Sequence, residues 1–99
     1  MSNIDAVLGF TIPGRNARGR VVRLGPVLES ILAAHGYPPA IERLLSDALV
    51  LTALLGTTLH EGDGQMTMQA QTKGGAVDLL VCDYRNGELR GYVKQLVLM

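Results

Sequence analysis

Gln65 to Val93, QMTMQAQTKGGAVDLLVCDYRNGELRGYV, decides what class of fold this chain can adopt. Its opening residues alternate, with Met66, Met68 and Ala70 on one face of an extended strand and Gln65, Thr67, Gln69 and Gln71 on the other. Lys73-Gly74-Gly75 turns the chain. Val77 to Tyr84 (VDLLVCDY) is apolar on both faces apart from its aspartates, as a central strand is. Asn86-Gly87 then stands between two apolar runs. That pair is the strongest short hairpin signal, because both central residues of the favoured turn need φ > 0. Leu89 to Met99 completes a predicted three-stranded antiparallel meander.

Upstream, the HEGDGQ tract predicts a turn, and before it the apolar period changes from 2 to 3.6. Ile41, Leu44, Leu45, Ala48, Leu49, Thr52 and Leu55 trace one helical stripe. Val50, Leu51, Ala53 and Leu54 make the second half apolar on nearly every side, which predicts a buried helix supporting the sheet. Pro38-Pro39 opens it and separates it from an earlier helix. That one begins at Gly25-Pro26, since proline loses nothing at the first helical position. It carries Val27, Leu28, Ile31, Leu32 and His35, and Gly36 is its left-handed stop. Earlier still, Val7 to Ile12 suits a strand, Pro13-Gly14 breaks it, and Arg18 to Leu24 resumes it. The predicted fold is α+β: an N-terminal strand pair, two helices, then the meander.

Composition narrows the function. The 99 residues predict one domain spanning 1–99, and at 47% apolar they have ample material for a core. Nine basic and nine acidic residues balance to a net charge of zero, which argues against a general nucleic-acid binder. A single cysteine, Cys82, rules out an internal disulfide or a cysteine-rich zinc site within this chain. The N-terminus shows no signal peptide. The densest apolar run, Ala48 to Leu55, is too short to cross a bilayer. The expectation is a cytoplasmic protein with neither membrane nor nucleic acid as partner.

Four of the nine basic residues, Arg15, Arg18, Arg20 and Arg23, crowd the loop between the first two strands. GRNARGR has the glycine spacing of a phosphate loop but lacks its Lys-Ser/Thr and precedes a strand rather than a helix. Phe10, the nearest aromatic residue, belongs to an apolar strand, so bases have no stacking partner. A solvated hairpin whose arginines pair with carboxylates elsewhere is the plainer reading. For catalysis, His60, Cys82 and Asp83 form a conceivable set. Yet a thiol in an apolar strand behaves as a small hydrophobe, and Asp78 and Asp83 fall on opposite strand faces. The expectation is no enzyme, no catalytic residue and no metal site.

Several blocks, taken together, resemble a known family. FTIPGRNARGRVVRLGPVLESILAAHGYP, SDALVLTALLGTTL, QMTMQAQTKGGAVDLLVCDY and ELRGYV look like the N-terminal part of the core of the redox-regulated heat-shock holdase, the 33-kilodalton chaperonin family. The resemblance extends through Val93, with Leu89-Arg90-Gly91 opening the last strand. It implies an ATP-independent chaperone that binds unfolding proteins under oxidative or heat stress and forms homodimers. In that family the redox switch is a C-terminal zinc module of four cysteines in CxC and CxxC spacing. Neither spacing occurs here, and Cys82 is not one of those ligands, so no cofactor is expected in this chain. The ending KQLVLM is apolar and β-prone and departs from the family's usual continuation, so an incomplete core of a larger domain is expected. Candidate client-binding surfaces are the Met66/Met68 face, for which core packing is the competing role, and the edge at Val97, Leu98 and Met99. The alternative is a structural dimerisation module without client binding of its own.

Overall fold

The computed structural model describes residues 5–58, 64–75 and 77–95. Strand β1 (Ala6–Ile12) and strand β2 (Ala17–Arg23) form an antiparallel pair. Helices α1 (Pro26–Ala33) and α2 (Pro39–Gly56) follow. Strands β3 (Gln65–Gln71), β4 (Val77–Arg85) and β5 (Glu88–Gln95) close the order as a separate antiparallel sheet with β4 in the middle. This is the α+β arrangement expected from the period changes.

The local chemistry accounts for the turns. Asn86 and Gly87 both take positive φ, 49° and 80°, the type I′ geometry that matches the twist of the strands they join. Gly36, at φ 63°, stands just past α1. His35 stacks on Tyr37 with ring centroids 5.0 Å apart. The Tyr37 hydroxyl accepts the Val93 N–H at 2.8 Å, tying the interhelical loop to the outer edge of β5.

The core lies between α2 and the inner face of the three-stranded sheet. Ile41, Leu45 and Leu49 of α2 meet Leu80 and Cys82 of β4 and Val93 of β5, with Leu28, Ile31, Leu32 and Met68 packed around them. Close approach is possible because glycine occupies the crossing. A Cβ at Gly91 would come within 2.7 Å of Leu49 Cδ2 and 3.3 Å of the Val81 carbonyl. At the far end of α2, Gly56 lies against the Tyr84 ring, where a Cβ would meet Cγ at 2.4 Å. Burying side chains of the size of Leu45 and Leu49 contributes roughly 1.5–3 kcal/mol each.

One expectation is overturned. The second half of α2 is not buried all round: Leu51 and Leu55 are 45% and 43% exposed, and Leu44 in the first half is 45% exposed. The three-stranded sheet covers one side of the helix, and the contacts that α1 and β2 add elsewhere leave these leucines partly open. An apolar pattern on every side shows that a helix is greasy, not how many layers surround it.

Smaller differences are matters of strand ends. β2 begins at Ala17 and ends at Arg23, one residue earlier than expected. β5 is described to Gln95, so the edge at Val97, Leu98 and Met99 lies outside the described residues, as does most of the HEGDGQ turn.

Candidate functional site

The β1–β2 pair forms a second sheet that touches α2 through β2 and extends from the body as an arm, and the molecule is correspondingly elongated, 58 × 33 × 27 Å. Its radius of gyration, 15.5 Å, exceeds the value of about 13 Å typical of a compact chain of this length.

Register makes the arm two-faced. Ala6 pairs with Arg23, Leu8 with Val21, Phe10 with Gly19 and Ile12 with Ala17, so these share one face, apolar beyond Arg23 at the base; Val7 pairs with Val22, Gly9 with Arg20 and Thr11 with Arg18 on the other, cationic toward the tip. The Phe10 ring lies directly over Gly19, where a Cβ would meet Cζ at 2.4 Å. The apolar face is open: Leu8 is 67% exposed and Val21 55%, with Phe10 and Ile12 near one half. A contiguous apolar surface of this kind on a small domain marks an interaction site.

The expected pairing of the arginines with carboxylates is not found among the described residues, which leave out Glu61 and Asp63. Among the described residues the ion pair is Lys94 with Asp78, at 4.0 Å and exposed on both sides, and Arg15, Arg18, Arg20 and Arg23 join none. The arm is therefore amphipathic and cationic. Its base is clasped by Asp5, whose carboxylate accepts the N–H groups of Gly25 at 2.7 Å and Val27 at 3.0 Å. No residue next to α1 caps it, and Asp5 does so from 20 positions away.

Between the arm and the last turn of α2 opens a cleft of about 730 Å³, bordered by Gly9, Phe10, Thr11, Arg18, Gly19 and Arg20 on one side and Leu54, Leu55 and Thr58 on the other. Composition alone held no signal for it, because its two walls are some forty residues apart in the chain.

Other sequence candidates are placed differently. Met66 and Met68 point to the α2 side of the sheet and are half-buried. The Met68 sulfur lies 3.8 Å from the Thr52 hydroxyl, which donates to the Ala48 carbonyl at 2.7 Å. Cys82 is fully buried on the inner face of β4. Burial pushes its thiol up from 9.0 to about 11; a hydrogen bond with Thr52 lowers it somewhat and the Asp83 charge raises it. Asp83 faces the other way and accepts the Thr67 hydroxyl at 2.6 Å. His60 lies outside the described residues. The structure thus gives Cys82 and Asp83 no shared site, and a thiol held protonated is a poor nucleophile. For the zinc implied by the resemblance, no group of three His, Cys, Asp or Glu gathers among the described residues. The one buried thiol does not suit such an ion. No helix of the described residues is long and apolar enough to cross a membrane.

Comparison with known proteins agrees with the resemblance. A family model described as Hsp33 protein matches residues 5–97. The 33 kDa chaperonin of Caulobacter vibrioides is 42% identical over 91 residues, 91% of this chain and 30% of that protein. The 33 kDa chaperonin of Yersinia pseudotuberculosis is 37% identical over 95 residues, 95% of this chain and 32% of that protein. The chain thus spans about a third of the curated relatives it matches. No solved structure matches it at a significant level.

Proposed function

The chain belongs to the Hsp33 family, and on that premise we propose that it acts as an ATP-independent holdase, binding unfolding proteins through exposed apolar surface. The observation that carries the reading is the open face of the arm, Leu8, Phe10, Ile12 and Val21, in a molecule whose cysteine is sequestered. A holdase needs accessible apolar surface and no reacting group, and burial of that surface against a client is favourable by roughly 25 cal/mol per Å². Met66, Met68, Val97, Leu98 and Met99 belong to the proposal as secondary client contacts, the methionines for their adaptable thioethers at the sheet edge. The setting proposed is cytoplasmic and stress-related, with a redox switch that these residues do not form themselves, and the working form is a homodimer.

The test is suppression of light scattering by a thermally unfolding enzyme, without nucleotide. The chain at equimolar concentration is expected to reduce scattering at least two-fold, and Leu8→Ser with Phe10→Ser to abolish most of the effect. No suppression by the unaltered chain refutes the reading.

A second reading, an assembly module without client binding, is favoured by the Leu44, Leu51 and Leu55 stripe on the outward side of α2. Under it, Leu51→Glu dissolves the dimer in sedimentation experiments and no client is protected.

A further inference from the structure

We infer that the cleft between the arm and the end of α2 is a binding site for extended peptide segments in which acidic and apolar side chains alternate. This rests on the holdase reading and gives it a substrate preference.

Charge is the first ground. The arm, residues 6–23, contains four of the nine basic residues and none of the nine acidic ones. A chain of zero net charge is therefore divided into a cationic arm and an anionic remainder. Among the described residues Arg18 and Arg20 join no ion pair, so no described carboxylate engages their guanidinium groups. Guanidinium–carboxylate contacts are charge-assisted and often bidentate, which makes them selective as well as strong.

Spacing is the second. Arg18 and Arg20 occupy alternate positions of β2 on one face, so their Cα atoms lie roughly 6.5 Å apart, the repeat of same-face side chains in any extended peptide. Carboxylates at alternate positions of a client match this interval.

Shape and polarity are the third. Opposite the arginines, Leu54 and the 43%-exposed Leu55 offer an apolar wall. The arm side is lowered by Gly9, where an added Cβ would touch nothing closer than the Gly19 carbonyl at 4.0 Å. An extended strand entering the cleft can thus turn its acidic side chains to the arm and its apolar ones to α2. Phe10 also borders the cleft, lying over Gly19 at its rim, so a single ring stands near the arginines, and a single-stranded nucleic acid is the competitor that the test has to separate.

The test uses fluorescence anisotropy with three labelled probes: a twelve-residue peptide alternating Glu and Leu, one alternating Lys and Leu, and a twelve-nucleotide single-stranded oligothymidine. The whole chain is expected to bind the Glu/Leu peptide at least ten-fold more tightly than the Lys/Leu peptide. Arg18→Gln with Arg20→Gln should erase that preference. Gly9→Val fills the cleft without altering charge, suits a strand, and should weaken Glu/Leu binding about ten-fold while the circular dichroism stays unchanged. Equal affinity for the two peptides, oligothymidine binding as tight as the Glu/Leu peptide, or no effect of Gly9→Val overturns the inference. The two readings separate cleanly. Client protection with no peptide preference removes the cleft but leaves the holdase. Glu/Leu selectivity without client protection leaves the cleft and removes the holdase.

Discussion

At the scale of the residue, Cys82 shows how burial sets chemistry. Its thiol is enclosed between α2 and the sheet, and ionising it there means placing a charge where water cannot follow. The folded thiol keeps its proton to about pH 11, whereas in the unfolded chain it loses it near 9.0. Between those values the folded state holds more protons, so stability is intact below pH 9 and declines as pH rises toward 11. Urea unfolding at pH 8 and pH 10.5 is expected to show this loss, on the order of 2 kcal/mol, in the unaltered chain. Cys82→Ser should show a smaller loss over the same interval, which isolates the thiol from other titrating groups. An alkylating reagent at pH 8 should leave Cys82 unmodified until denaturant is added.

At the scale of the element, α1 is short and carries no local side-chain cap, and Asp5 supplies what the neighbouring residues lack. Removing it leaves the N–H groups of Gly25 and Val27 without their acceptor. Asp5→Ala is expected to lower the urea midpoint by the equivalent of about 0.5–2 kcal/mol, and Asp5→Asn by less, because the amide oxygen still accepts. The contrast between α1 and the meander shows what a sequence discloses. Asn86-Gly87 and the alternation of Met66, Met68 and Ala70 are local signals, and they marked the hairpin and the inner face correctly. Pro26 marked the start of α1 in the same way, but the helix ends at Ala33, so His35, expected on it, lies in the turn that leads to Gly36. The Asp5 clasp joins residues that neither period nor turn chemistry connects. The exposed stripe of Leu44, Leu51 and Leu55 escaped for another reason, since periodicity reports hydrophobicity and leaves the number of packed layers open. The cleft needed both: an arm whose register set Arg18 and Arg20 on one face, and a helix end brought to meet it.

At the scale of the whole molecule, stability and recognition occupy different regions. The body holds every residue of the buried core cluster, whereas the arm holds none. The arm should therefore be cut long before the body unfolds. Brief treatment with trypsin is expected to cleave first after Arg15, in the exposed turn between β1 and β2, with Arg43 inside α2 protected by the helix around it. The nicked protein should keep its thermal midpoint within a few degrees while losing affinity for the Glu/Leu peptide. Mass spectrometry of the first fragments checks the order of cleavage.

The position of the Asp5 clasp carries a consequence of its own. Asp5 sits where β1 begins and Gly25 just after β2 ends, so a single carboxylate pins both legs of the arm to the start of α1. The clasp works as a hinge pin, and any swing of the arm strains two hydrogen bonds at one point. The amide protons of Gly25 and Val27 then serve as a built-in gauge. Their exchange with deuterated solvent slows whenever something seated against the arm holds it still, and quickens whenever the arm is released.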